Sequence, residues 1–434
     1  MRMREKNSVS LITLGCSKNT VDSERLLNQL QANSFNLEQN PGNAETVIIN
    51  TCGFIEAAKE ESINTILNAV ALKKEGKIKK VIVAGCLSER YKPDLLKEIP
   101  EVDAYFGTEK YEAILKELGG ELKYNLLGER LLTAPPHTAY LKISEGCDHP
   151  CSFCAIPLMR GKHKSKPIEE LISEAEFLAR NNTKELIVIA QDTTDYGKDI
   201  YGKKSLAELL TKLSEIEGIE WIRIMYAYPS QFPDDVIKVI ANNPKICNYI
   251  DIPLQHISDN VLKSMRRGIT SGRTKELLLK LRENIPGLTL RTTFIVGYPN
   301  ETDKEFKQLC DFISEIKFDK VGTFTFSPED KTSSFILGDP VPMAVKEKRK
   351  EILMNLQSEI SLEKNSSFLG KKLQVLVESE EKEFYIGRSY RDAPEVDGEI
   401  LIESNGNKLR AGEFHQVEIT NYNEYDLFAR FSNK

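Results

Sequence analysis

Three short apolar runs in the first hundred residues share one shape. Residues 10–16 (Ser-Leu-Ile-Thr-Leu-Gly-Cys), 46–52 (Thr-Val-Ile-Ile-Asn-Thr-Cys) and 81–86 (Val-Ile-Val-Ala-Gly-Cys) are rich in Val, Ile and Leu, and each ends in cysteine. Such runs predict buried parallel strands. Helical periodicity follows at 21–32 and 56–74, with a shorter stretch at 93–98. The cysteines stand 36 and 34 residues apart, the length of one strand–helix unit each. Residues 125–137 carry Pro135-Pro136 and little periodicity, and are expected to form a linker. Six more strand-like runs follow at 139–144, 185–190, 221–226, 249–253, 288–296 and 320–325. Helical patterns at 168–180, 206–216 and 304–316 fall between them. Alternation of this kind predicts a parallel sheet, and six units are too few to close an eight-fold barrel.

A charged amphipathic helix is expected at 345–365. Beyond it the period shortens into strands at 373–377, 384–388, 399–402, 416–420 and 427–431, the pattern of a small closed β-barrel. The chain is therefore α/β, with an N-terminal open parallel α/β sheet domain, a central partial (β/α)6 barrel and a small all-β barrel at the end. The expected divisions are 7–125, 133–366 and 367–434.

Composition narrows the classes. The 434 residues are 40% hydrophobic and 29% charged, as in ordinary globular chains. No run of about eighteen apolar residues suggests a membrane span, and the N-terminus does not read as a signal peptide. A cytoplasmic protein is expected. Eight cysteines in such a chain point to metal binding or catalysis more than to disulfides. A net charge of −6 argues against a polyanion as the main partner, so nucleic-acid binding is not expected to dominate.

The chemistry concentrates at cysteines. Cys147, Cys151 and Cys154 form a C-x3-C-x2-C loop. Three thiolates this close can hold three corners of a cubane iron–sulfur cluster and leave the fourth iron open. The alternatives are a zinc loop with His149 as fourth ligand or three unrelated thiols. Cys16, Cys52 and Cys86 lie far apart in sequence, but the ends of parallel strands share one edge. They are expected to converge on a second cluster, with helix N-termini favouring their thiolates; three buried core cysteines are the alternative. Other distinctive residues also end strands: Gln191 and Asp192, Tyr226 in Tyr-Ala-Tyr-Pro, Gln255-His256, and Tyr298 in Gly-Tyr-Pro. Each has a plain explanation as a turn or a cap. Arg160 opens a basic loop, Arg-Gly-Lys-His-Lys-Ser-Lys, that could attract a carboxylate or merely be solvated. Residues 367–434 hold nine Lys and Arg against thirteen Asp and Glu, a poor surface for phosphates and a better one for a basic protein.

Together these motifs resemble the radical S-adenosylmethionine (SAM) methylthiotransferase family over nearly the whole chain. Its parts are a methylthiotransferase domain with three cysteines, a radical SAM core and a TRAM barrel. Two bacterial branches compete: one modifies isopentenyladenosine in tRNA, and the RimO type modifies an aspartate of small-subunit ribosomal protein twelve. Leu14-Gly-Cys-Ser-Lys-Asn-Thr-Val-Asp-Ser-Glu24 is similar to the RimO pattern, with Ser17 in place of a usual Pro. The 160–167 loop and Asp392-Ala-Pro-Glu-Val-Asp-Gly398 point the same way.

The resemblance implies two 4Fe-4S clusters, with SAM both as radical source and as methyl donor. Cys147, Cys151 and Cys154 would hold the SAM cluster. Cys16, Cys52 and Cys86 would hold a sulfur-carrying one. A deoxyadenosyl radical would take a hydrogen from the aspartate β-carbon, which then receives the methylthio group. Arg160, Gln191, Asp192, Tyr226 and Tyr298 become candidates for the SAM pocket, and Glu395, Asp397 and Glu399 for docking the substrate. The expected partners are the ribosomal protein, free or in the ribosome, and a low-potential donor such as flavodoxin or ferredoxin. A non-catalytic iron–sulfur redox or docking protein is the reading of another class.

Overall fold

The computed structural model describes residues 8–431 except 382, 405 and 407. The expected outer limits at residues 7 and 434 lie outside the described residues. Five strands build the first sheet: β1 (Ser8–Thr13), β2 (Asn36–Leu37), β3 (Thr46–Thr51), β4 (Lys80–Gly85) and β5 (Ala104–Tyr105). All pair in parallel, in the order β2-β1-β3-β4-β5. β3 is buried along its whole length, and its apolar residues Val47-Ile48-Ile49 accordingly run consecutively rather than alternate with polar ones. α1 (Ser17–Ala32), α2 (Glu56–Lys74) and α3 (Cys86–Glu98) follow β1, β3 and β4. α3 starts seven residues before the expected 93, because Pro93 lies inside it, after a kink at Tyr91 (φ −122°).

The middle of the chain adds β6 (Thr138–Lys142) and a short antiparallel pair, β7 (Ser144–Glu145) with β8 (Lys164–Ser165). Then come β9 (Glu185–Ile189), β10 (Trp221–Ile224), β11 (Ile246–Asp251), β12 (Thr289–Val296) and β13 (Lys320–Thr325). β6 and β9 to β13 form one six-stranded sheet with neighbours in chain order, all parallel. This is the expected partial barrel. Alternate residues face opposite ways along each strand. Leu186, Val188, Ile222 and Ile250 pack under the covering helices. Ile187, Ile189, Trp221 and Tyr249 point to the inner, concave face.

Two other parts of the chain fill that concavity. Val21 of α1 reaches it, and so do Leu376, Ala393 and Phe414 from the C-terminal region. There β14 (Lys372–Glu381), β15 (Phe384–Arg388), β16 (Ile400–Glu403), β17 (Phe414–Tyr422) and β18 (Leu427–Phe431) close into a five-stranded barrel. A 24-residue helix, Met343–Ser366, leads into it. The small barrel is docked, not tethered: Trp221 meets Phe414 edge-on at 4.8 Å, and buried Glu185 binds both Arg223 (2.7 Å) and Arg388 (2.6 Å). The expected linker has no regular element beyond a short turn at Tyr124–Leu126. It is nonetheless clamped, because Arg130 is buried against Glu24 (3.0 Å) and Glu174 (3.2 Å).

Candidate active site

The edge of the first sheet brings Cys16, Cys52 and Cys86 together. Cys16 caps α1, Cys52 follows β3, and Cys86 opens α3. The Asn19 amide ties two of these ends by donating to Leu14 O (2.7 Å) and Thr51 O (3.1 Å). Two glycines permit the close approach. A Cβ on Gly15 would lie 2.7 Å from Cys52 Cβ, and one on Gly53 would lie 2.8 Å from Leu87 Cα. Burial raises the Cys52 thiol and pushes Cys86 up to about 12, against the pull of the Arg160 guanidinium.

The second triplet sits in the loop after β7. The Cys154 amide donates to Cys151 O (3.2 Å), which folds the loop on itself. Ser152 anchors it through Ser264 O (2.9 Å) and the Tyr298 hydroxyl (2.9 Å). Arg267 donates to Cys151 Sγ (3.3 Å), and the Tyr228 hydroxyl lies 3.7 Å from the same sulfur. Burial pushes Cys147 and Cys154 up to about 12. His149 stacks on Tyr228 (3.6 Å, 7°) and binds Asp192 at 2.6 Å. Its Nε2 is therefore engaged by a carboxylate and not directed at sulfur. Among the described residues no three cysteine sulfurs fall within 4.8 Å of one another. A single zinc ion with bonds of about 2.3 Å draws its sulfurs closer than that. The all-thiol donor sets fit cubane clusters, which cysteine sulfurs ligate. Gln191 adds to the fit: its Nε2 donates to Glu145 (2.7 Å), while its buried Oε1 has no donor.

The two triplets are joined by Arg160. It lies at the end of the short helix Ile156–Arg160, next to the SAM-type loop, yet its Nε donates to Cys86 Sγ at 3.3 Å. Its other nitrogens bind Asp22 (2.6 Å), Glu145 (3.1 Å) and Asn19. Fully buried Lys142 binds Asp22, Glu109 (2.8 Å) and Glu145 (2.5 Å). Arg25 and Lys166 hold Glu174 at 2.7 and 3.2 Å. Five acids and five bases thus knit the first domain and Arg130 to the barrel directly behind the cysteines.

Several expected roles change. Arg160 is not free for a ligand carboxylate, because buried Asp22 and half-buried Glu145 already hold it. Tyr298 is wholly buried behind Ser152 and supports the loop rather than lining a pocket. Asp192 is buried between His149 and Thr194 (2.6 Å). His256 is buried, its Nδ1 accepting the Ser258 amide at 3.0 Å. Tyr226 stays at the mouth, with a left-handed φ of 62°. Asp397 is not a surface acid: its side chain is 1% exposed and accepts from the Tyr249 hydroxyl (2.7 Å) and the Ala393 amide (2.9 Å). Glu395 and Glu399 are exposed. Tyr228, Arg267, Asp22 and Glu145 were not singled out from the sequence. Of these, Tyr228 carried a signal in the Tyr-Ala-Tyr-Pro motif and Asp22 in the Val-Asp-Ser-Glu run that ends at Glu24.

Family comparisons match this layout. The model described as "Radical SAM superfamily" matches residues 141–313, "Uncharacterized protein family UPF0004" matches 8–107, and "TRAM domain" matches 369–431. A Flavobacterium psychrophilum protein, "Ribosomal protein uS12 methylthiotransferase RimO", is 53% identical over 98% of this chain and 98% of its own length. Proteins of the same name from Christiangramia forsetii (52%; 98% and 94%) and Porphyromonas gingivalis (46%; 98% and 99%) are also similar. The chain belongs to the RimO family. Solved structures support the fold: the radical SAM methyltransferase TsrM from Kitasatospora setae, with cobalamin and a [4Fe-4S] cluster bound, aligns with TM-score 0.55 at 13% identity. It covers 76% of this chain and 77% of its own. The six cysteines of this RimO-family chain accordingly fall three in the UPF0004 region and three in the radical SAM region.

Proposed function

We propose that the chain is a radical SAM methylthiotransferase that modifies ribosomal protein uS12, adding a methylthio group to the β-carbon of an aspartate. The observation that carries this is the full-length similarity, at 46–53% identity, to proteins named for that reaction. It favours this reading over a tRNA substrate and over a non-catalytic iron–sulfur protein. Cys147, Cys151 and Cys154 would hold one cluster with SAM, and Cys16, Cys52 and Cys86 the other. When bound, these groups supply radical hydrogen abstraction and a transferable sulfur.

The protein's own work is positional. Arg160 and Lys142 fix the two triplets relative to one another through Asp22 and Glu145. The Arg267–Tyr228–His149 stack walls the SAM-type loop on one side. Holding reacting groups in one geometry and excluding water from a radical are what such a scaffold contributes. Among the described residues no helix is long and apolar enough to cross a membrane. The reducing electron would come from a low-potential donor such as flavodoxin or ferredoxin.

Mass spectrometry of uS12 and of tRNA nucleosides from a deletion strain tests the reading. The expected result is uS12 lighter by one methylthio group, with tRNA unchanged. Loss from tRNA alone would overturn it.

A further inference from the structure

Lys18 is buried without an acid. It lies two residues beyond Cys16 at the start of α1 and is 7% exposed. Its Nζ sits 2.9 Å from the centroid of the Tyr226 ring, across the junction between the first domain and the barrel mouth. Among the described residues no carboxylate lies within 4.0 Å of it. The nearest candidate on its own helix, Asp22 one turn on, is taken by Lys142 and Arg160. Every other cation at this junction, Arg25, Arg130, Lys142, Arg160 and Lys166, is paired with an acid. A buried ammonium that meets a π-face and no acid is left with unmet charge. The aromatic face attracts it but accepts no proton.

The position gives this charge a purpose. Tyr226 lies two residues beyond β10 and is held in the left-handed region, with its amide donating to Asp251 (3.1 Å) and its carbonyl accepting from Thr193 (3.1 Å). An aromatic residue in that conformation is strained and persists only where its surroundings impose it. Its ring is thereby presented beside the residues that follow Cys16.

We propose that Lys18, seated on the Tyr226 ring, forms a carboxylate subsite that receives the side chain of the target aspartate. This rests on the reading that uS12 is the substrate. The subsite makes Lys18 a specificity-determining residue: it prefers an acidic acceptor over its amide isostere, because only the carboxylate completes the ion pair. A charge-assisted hydrogen bond to a buried cation corresponds to roughly 10- to 100-fold in discrimination.

The test uses cluster-reconstituted enzyme and purified uS12 carrying aspartate or asparagine at the target position. The wild-type enzyme should prefer aspartate by roughly 10- to 100-fold in kcat/KM, K18R should keep most of that preference, and K18M should lose it. If K18M keeps the preference, the proposal is wrong. If K18M keeps it while raising KM for SAM, the carboxylate at Lys18 is that of SAM and the proposal is again wrong. Competition in the wild-type enzyme is independent of variant folding: asparagine-substituted uS12 inhibiting as well as the native protein would overturn the subsite. A wild-type enzyme that leaves uS12 unmodified and methylthiolates tRNA fails the functional reading itself, a distinguishable outcome.

Discussion

Arg160 shows how much a residue's role depends on partners that are remote in sequence. Its motif reads as a basic loop near the cluster cysteines, fit for an anionic ligand. Its actual partners, Asp22 and Cys86, lie 138 and 74 positions away. Removing one member of a buried ionic group leaves the others uncompensated, which costs about 3–5 kcal/mol. Arg160→Met should therefore destabilise the apo-protein by about 3 kcal/mol, whereas Arg180→Met, at a residue with a side chain 67% exposed, should change stability by less than about 0.5 kcal/mol. Urea midpoints compare the two, and equal midpoints would contradict the clamp. The same remoteness explains what the sequence could and could not convey at this scale. The two cysteine triplets stand out in the sequence because loop spacing and repeated strand ends are local signals. The burial of Tyr298 and Asp397 does not. Their exposure is decided by Ser152 and by Tyr249, each more than a hundred residues away.

At the scale of elements, local pattern carried nearly everything. Three strands of the first parallel sheet and all six of the second fell where apolar runs placed them, the two-residue strands β2 and β5 had no such run, and the five short strands closed as a barrel. The error at α3 has a local cause: Pro93 looks like a helix start, since proline suits the first turn, but here the helix absorbs it through the kink at Tyr91. What the pattern could not convey is how tightly the strand ends crowd. Gly53 touches the start of α3, where a Cβ would meet Leu87 Cα at 2.8 Å and Leu87 N at 2.9 Å. Both are backbone atoms, so relief requires α3 to move and carry Cys86 with it. Gly53→Ala should thus impair the first-domain cluster and spare the SAM cluster. Iron after anaerobic reconstitution should fall from about eight to about four per chain. A variant that still binds about eight irons would show that α3 tolerates the shift.

The whole molecule is held by charge as much as by apolar packing, and this sets its response to acid. Burial alone would raise the Glu174 carboxyl, but Arg25, Lys166 and Arg130 hold it down to about 2. Asp22, likewise buried, is held well below the usual carboxylate range by Lys142 and Arg160. In the unfolded chain a glutamate titrates near 4.5. A folded value below the unfolded one means that the unfolded state binds more protons in between. The stabilisation is therefore complete above about pH 4.5 and is lost as the pH falls toward 2. For Glu174 the shift corresponds to about 3 kcal/mol. Since these acids join the first domain and the barrel, their protonation should loosen the junction before either hydrophobic core melts. Limited proteolysis of the apo-protein between pH 4.5 and pH 2, with an acid-active protease, should cut first in the 125–137 segment, because opening that lets Glu174 take up a proton becomes easier across that window. Glu174→Gln should lower stability at pH 7 and flatten the acid limb of the urea midpoint against pH, because the titrating group is gone. If Glu174→Gln retained the full wild-type slope between pH 4.5 and pH 3, the junction network would not be the source of the acid response.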